Sequence, residues 1–443
     1  MSGEPLHVQD HVELIREAFF YAERFRGRTF VIQIDDSLIG SPVLKTLVKD
    51  LVMLYRTGIR MVLVTGARRR IDEVLSRYAV QSRKVAGVRI SSPAAIPFIK
   101  MAAFDVSNEL MTELSANNTN AVIGNWVRAR SLGVRDGIDY QDAGAVERIK
   151  LDLLMNTLDQ GLIPVFPCIG WSASGKLYNV SSRELAAVLS IELAADKLFF
   201  LTPTQGIDTA NFVIPDGIAE APDGGISRMN LEQGEAFLAA NSAHSSFDEI
   251  EYVRLAMRAA RGGVDRVHII DGRVDGVLLM ELFSNFGFGT MIYTNQYESI
   301  RDMTADDVPA VLRVMAPAMS SGILVRREAS DLLGQLDDFV VYETDDTIHG
   351  CGALHAYNEE QAEIHGISVD ARYSHLGIGQ KIVRYLLDRA RERSLHSVFV
   401  LTTQTSDWFQ SLGFRAGALD EVPEAKRAAY NRDRNSRILL YDL

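Results

Sequence analysis

From residue 29 onward, short apolar runs alternate with stretches in which apolar residues recur at helical spacing. Residues 29–34 (TFVIQI) are a β-branched run. Val43, Leu44, Leu47, Val48, Leu51 and Leu54 then share one helical face, and Gly58 stops that helix. Residues 61–65 (MVLVT) are another apolar run, ended by Gly66. Strand, helix and strand in that order predict parallel strands joined by a right-handed crossover. The alternation predicts further strands at 121–127, 162–166, 197–201, 266–270 and 289–293. It predicts helices at 149–158, 183–194, 250–260 and 277–283. An open, mostly parallel sheet covered by helices on both faces follows.

The texture changes near Tyr297. A short strand at 299–302 and a helix at 306–315 lead into strands with little helix between them. Residues 339–343 and 352–357 read as a hairpin turning around Asp345 and Asp346, and 363–369 as a third strand. Residues 378–391 form an amphipathic helix, with Ile382, Tyr385, Leu386 and Arg389 at helical spacing. A strand at 397–402, a short helix around Trp408 and a strand at 437–441 complete the pattern. The chain has 443 residues, more than one ordinary core holds. Two domains are predicted, 1–294 and 295–443, the second with a mixed sheet.

Composition narrows the function classes. Apolar residues are 47 % and charged residues 23 %, the balance of a globular protein. Net charge is 46 − 58 = −12, which counts against broad nucleic-acid binding. Cys168 and Cys351 are too few for a disulfide framework or a structural zinc site and read as reduced, buried thiols, so no metal is expected. No run of 18 apolar residues predicts a membrane span, and the N-terminal residues lack a basic-then-apolar signal. The expectation is a cytoplasmic protein that binds neither membrane nor nucleic acid.

The strongest local signal is 368–380, SVDARYSHLGIGQ. A strand ends, and a glycine-containing loop leads directly into a helix. Glycines let backbone N–H groups approach an anion closely, and a helix N-terminus adds unpaired donors with a partial positive charge. With the strand that follows (SVFVLTT) and the aromatic short helix ending at Gly413 and Phe414, this arrangement resembles the GNAT acetyltransferases. Their pyrophosphate loop reads R/Q-x-x-G-x-G/A; Gly377 and Gly379 match its small positions, and Ser374 stands where Arg or Gln is usual. The resemblance implies acetyl-CoA as co-substrate, held along Ile367, Ser368 and Val369 and by Ser374, His375, Leu376, Gly377, Ile378 and Gly379, with Trp408 as a wall. Attack by an amine needs a proton acceptor, and Glu363 at the start of its strand is the candidate. Thr402, ending the next strand, is the candidate donor to the departing thiolate.

Two segments narrow the acceptor. SGILVRR at 321–327 and RNSRIL at 434–439 carry arginines, whose planar forks suit an acceptor with two carboxylates. With the large first domain, the chain resembles the bacterial N-acetylglutamate synthases over nearly its whole length. That resemblance implies an amino-acid-kinase-like three-layer domain followed by a GNAT domain. It assigns L-glutamate to Arg327, Arg434, Ser436 and the backbone of Val325, and implies direct amine attack in a ternary complex, the first step of arginine biosynthesis.

The first domain resembles N-acetylglutamate kinase, yet its phosphate chemistry is lost. Gln33 replaces the lysine that opens the kinase site, and Asp35 and Asp36 occupy the glycine turn. The second glycine loop is Thr65–Gly66–Ala67–Arg68, and Arg183 stands where a kinase has its catalytic aspartate. Carboxylates beside a triphosphate would be repelled, so kinase activity is the disfavoured alternative. A non-catalytic sensor of arginine and CoA is a second one. Family members that respond to L-arginine bind it in this domain; the resemblance assigns Tyr21, Lys197, Glu281, Gly287 and Gly289 to that site. It also implies a homo-oligomer, a hexamer, built through the helix at 11–24.

Overall fold

The computed structural model describes residues 22–443 except 86, 219, 221–223, 245–246, 284–288, 295–297, 345–346 and 433. Side chains at 283, 298, 372, 375 and 376 also lie outside the description. The chain divides into two compact units, Met1–Asn295 and Gln296–Leu443.

In the first unit eight strands form one sheet in the order Arg228–Asn230, Gly289–Tyr293, Arg266–Asp271, Lys197–Thr202, Thr29–Ile34, Arg60–Thr65, Ile163–Phe166 and Ala121–Val122. All neighbours run parallel except Gly289–Tyr293, which lies antiparallel to Arg266–Asp271. Central strands are buried on both faces, as parallel strands between helices must be. Their side chains alternate between two cores. Phe30, Ile32, Ile34, Leu63, Phe199 and Leu201 enter one; Val31, Val62, Val64, Leu198 and Phe200 enter the other. Helix, sheet and helix therefore make three layers.

The structure departs from the sequence expectation in several elements, of which two shape this unit most. The run at 121–127 is two strands, Ala121–Val122 in the main sheet and Val127–Ser131 in a closed four-stranded barrel with Ala143–Ile149, Ile169–Trp171 and Leu177–Val180. The longest helix among the described residues, Ile96–Ala116, carries no clear apolar stripe. Its buried residues (Ile99, Ala102, Ala103, Val106, Leu110, Leu114) are interleaved with half-buried Phe98, Phe104 and Met111, so periodicity does not announce it.

In the second unit seven strands follow the order Glu298–Asp302, Phe339–Thr344, Thr347–Ala356, Gln361–Val369, Ser397–Thr402, Arg437–Asp442 and Arg415–Gly417. Every pairing is antiparallel except Gln361–Val369 with Ser397–Thr402. That parallel pairing covers only Gln361–Ser397, Ala362–Val398 and Glu363–Phe399. Beyond Glu363 the two strands part. Gly366 lies at φ 65°, where side chains are strained, and the register with Thr347–Ala356 slips between Cys351 and Ala353. The bulge bends one strand away from its parallel neighbour. Helix Ile378–Glu392 packs Ile378, Ile382, Val383, Leu386 and Leu387 onto the sheet.

Candidate active site

The opening between the parted strands places the backbone of Ile367, Ser368 and Val369 on one arm without a ladder partner on that side. Ser368 is buried and its hydroxyl donates to the Val314 carbonyl at 3.0 Å. The chain then turns through Ala371–Leu376, where the Ser374 hydroxyl donates to the Ala371 carbonyl at 2.9 Å. Gly377 sits at φ 69° as the N-cap of Ile378–Glu392, and no side chain caps that helix. The donors of its first turn are therefore available to an anion. A Cβ on Gly379 would come within 3.3 Å of the Trp408 ring, a tight approach that brings this backbone close to the wall. Of His375 and Leu376 only the backbone is described.

Glu363 stands where the strands separate. Its carboxylate is almost fully buried and accepts from Lys426 Nζ and from the Tyr357 hydroxyl. Thr402 ends the other arm, three residues beyond Phe399, the partner of Glu363. Its hydroxyl lies 2.7 Å from that of Thr405 and accepts from the Thr405 N–H at 3.0 Å.

The arginines converge on the same region. Arg327 donates to Gln335 Oε1 at 2.7 Å and to His365 Nδ1 at 2.9 Å, with its guanidinium 5.3 Å from the centre of the Phe339 ring. His365 is two residues beyond Glu363 on one strand, hence on the same face. Burial, helped by the charges of Arg327, Lys426 and His355, pushes His365 down to about 3, so the ring is neutral and free to accept. Arg434 donates to the carbonyls of Gly322 and Ile323, just ahead of exposed Val325. Ser436 is buried, and its carbonyl accepts from the Tyr430 hydroxyl at 2.8 Å. Cys351 is fully enclosed, and burial pushes its thiol up to about 12, which removes it as a nucleophile at neutral pH.

Sequence reasoning missed Tyr357, His365, Gln335 and Lys426. A signal for His365 was present in the Glu363-x-His365 alternation. Lys426 had none, because it lies on a five-residue helix, EAKRA, too short to show a periodic pattern.

In the first unit the phosphate position is filled by the chain itself. Helix Arg68–Arg77 follows Gly66 and Ala67 directly, and Asp36 Oδ2 accepts from the backbone N–H groups of Arg69 and Arg70 at 2.6 and 3.1 Å. A carboxylate thus occupies the helix end that would cradle a phosphate. Burial pushes the Asp36 carboxyl up, and those two donors oppose it. Arg183 is buried, donates to Asp248 at 2.7 Å and Glu251 at 2.6 Å, and covers the Tyr252 ring at 4.1 Å. Asp36, Arg68, Arg183 and Glu251 line a cavity of about 160 Å³.

Lys197 is buried with Nζ 5.4 Å from the centre of the Phe25 ring. Glu281 Oε1 meets His268 Nδ1 at 2.6 Å, and that imidazole stacks on Phe199 at 4.7 Å. Lys197 and Phe199 share a face, so the structure gathers Lys197 and Glu281 on one side of the sheet. Gly289 begins the antiparallel strand, where a Cβ would lie 2.3 Å from the Ile269 carbonyl oxygen. Tyr21 and Gly287 lie outside the described residues. Among the described residues no cluster of metal-ligating side chains occurs, and no helix is long and apolar enough to cross a membrane.

Residues 28–271 match the amino acid kinase family, and residues 315–414 match the acetyltransferase (GNAT) family. The chain is 32 % identical over 439 residues to an amino-acid acetyltransferase of Pasteurella multocida, covering 98 % of each. It is 33 % identical over 441 residues to one of Aeromonas salmonicida, covering 97 % of each. Among solved structures, N-acetylglutamate synthase from Neisseria gonorrhoeae complexed with coenzyme A and L-arginine aligns with a TM-score of 0.83 at 30 % identity, over 98 % of this chain and 99 % of that one. The same enzyme complexed with coenzyme A and N-acetyl-glutamate aligns at 0.60.

Proposed function

The chain belongs to the amino-acid acetyltransferases, and on that premise we propose how its residues make N-acetyl-L-glutamate from acetyl-CoA and L-glutamate. The observation that supports the assignment is that Arg327 donates to His365, two residues beyond Glu363 at the parting of the strands, while Arg434 donates to the carbonyls of Gly322 and Ile323 in the Arg327 segment. The backbone of Ile367–Val369 pairs with the pantetheine arm, and the uncapped helix behind Gly377 holds the pyrophosphate. Arg327, Arg434, Ser436 and the Val325 backbone take the two glutamate carboxylates.

Glu363 accepts the amine proton, directly or through water, as the amine attacks the thioester. Backbone N–H groups beside the thioester carbonyl stabilise the charge that develops on its oxygen. Thr402 donates to the departing thiolate. Attack is direct, since Cys351 is closed and protonated.

The first unit is a regulatory domain. L-Arginine binds near Lys197, Glu281 and Gly289 and shifts a homo-oligomer, a hexamer, between arrangements for which its affinity differs. The enzyme works in the cytoplasm. Kinase activity is disfavoured because Asp36 and Arg183 occupy the phosphate end of the fold.

Thiol release from acetyl-CoA, screened over the common amino acids with and without L-arginine, tests this reading. Release is expected with L-glutamate, and arginine is expected to change both the rate and the sedimentation coefficient. Release with a different amine rejects the acceptor, and release with none rejects catalysis. Arg434→Ala is expected to raise the glutamate KM by about 10–100-fold, the value of a charged hydrogen bond to a carboxylate, with kcat within a few-fold. An unchanged KM removes Arg434 from the acceptor site.

A further inference from the structure

Glu363 carries an arrangement that the reaction, as described, does not use. Its carboxylate side chain is 8 % exposed and accepts three hydrogen bonds. Lys426 Nζ donates to Oε1 at 2.8 Å and to Oε2 at 2.7 Å, and the Tyr357 hydroxyl donates to Oε2 at 3.0 Å. A carboxylate offers about four lone-pair positions, so about one is left for an incoming group. A base in this state is occupied on most sides and already paired with a full positive charge.

The side chain that occupies it hangs on a lightly held segment. In the helix Glu424–Ala428 every residue except Lys426 is exposed. Val422 and Pro423, just before it, are buried, and Tyr430, just after it, is tied to the Ser436 carbonyl. Within the helix, Lys426 is the anchor to the sheet. The same segment continues to Arg434, which donates to the carbonyls of Gly322 and Ile323. Both groups that would meet the acceptor's charges therefore hold internal stand-ins: an ammonium on the base, and carbonyl oxygens on the arginine.

We propose that Lys426 is a positioning residue whose ammonium seats on Glu363 in the acceptor-free enzyme and yields that seat to the acceptor's amine, as Arg434 trades backbone carbonyls for an acceptor carboxylate. The proposal rests on Glu363 being the proton acceptor. One primary ammonium replaces another, so the buried carboxylate is at no point left unpaired, which would be strongly unfavourable. The exchange also favours acceptors that present an ammonium and a carboxylate together, because only these satisfy both vacated groups.

The charged and titratable groups facing Glu363 come from four places. They are Lys426 on the short helix, Tyr357 after the strand Thr347–Ala356, His355 opposite it in register, and His365 with Arg327 along its own face. His365 stays neutral, and His355 is engaged by Asp338 at 2.7 Å.

The test compares Lys426→Met and Lys426→Arg with the parent chain, full length, by thiol release at saturating acetyl-CoA, with glutamate varied. Lys426→Met removes the ammonium that competes for the Glu363 seat, so it is expected to lower the glutamate KM by about 3–10-fold. A guanidinium grips a carboxylate through two parallel bonds, so Lys426→Arg is expected to raise the glutamate KM by about 3–10-fold. A glutamate KM that does not fall in a folded Lys426→Met overturns the proposal. If that variant does not fold, an unchanged KM in Lys426→Arg overturns it. Glu363→Gln, run in parallel, separates the two readings. Should it keep the parent's kcat, the proton-acceptor role falls and the proposal with it; should it be slow while Lys426→Met keeps the parent's KM, only the proposal falls.

Discussion

Glu363→Gln lowers kcat by about 10²–10⁴-fold, the range that a positioned proton acceptor contributes, and changes the glutamate KM far less. The amide keeps the volume of the carboxylate and its place between the parted strands, so substrate positioning is preserved. What it loses is the lone pair that takes the proton. The amide also turns an N–H₂ donor toward Lys426 or Tyr357, both of which donate at this site. Some loss of stability therefore accompanies the variant, and a thermal melt separates it from the kinetic effect. The split between the two constants supplies the check: the variant loses kcat and keeps the parent's glutamate KM. Parent-like kcat in a folded Glu363→Gln would exclude this residue as the base.

Arg183→Ala destabilises the first unit by about 3 kcal/mol, the low end of what breaking a buried ion pair costs. The lower figure applies because the Asp248 and Glu251 side chains keep 49 % and 34 % exposure, so solvent repays part of the loss. The variant also uncovers the face of Tyr252, which the guanidinium covers at 4.1 Å. For a unit of this size a loss of that magnitude lowers Tm by roughly 6–12 °C. Calorimetry of the full chain measures it, read on the transition assigned to the first unit.

The pH dependence has a definite sign. Arg183 first, and Arg68 after it, hold the Asp248 carboxyl well below the usual carboxylate range. The stabilisation is present above the ordinary Asp value and is lost as pH falls through the depressed one. Parent and variant should thus differ fully at neutral pH and converge only in strong acid. Equal melting temperatures at pH 7 would show that Arg183 has no structural role in the space a kinase gives to catalysis.

Much of this was legible in the linear pattern, for reasons that are local. Apolar runs of four to six residues between helical repeats suffice for a parallel sheet, because its strands must be apolar on both faces; Lys197–Thr202 and Arg266–Asp271 follow that rule. Gly377 and Gly379 marked a candidate anion cradle because strand, loop and helix N-terminus are contiguous in the chain. Substitutions at Asp36 and Arg183 spoke against phosphoryl transfer for the same reason: each is a change of residue type at one position.

Other features depended on closure of the chain in space. The antiparallel direction of Gly289–Tyr293 is set by its neighbour, and an apolar run reads alike in either direction. The long helix Ile96–Ala116 escaped notice because half-buried residues blur its stripe. That Asp36 caps Arg69 and Arg70, that His365 braces Arg327, and that Lys426 sits on Glu363 from 63 positions away are all pairings of distant residues. Residue types and their spacing therefore settle which elements form and which chemistry is on hand. Which charge faces which is decided only when the sheet brings remote segments together, since an ion pair depends on separation in space and carries no periodic trace in the sequence.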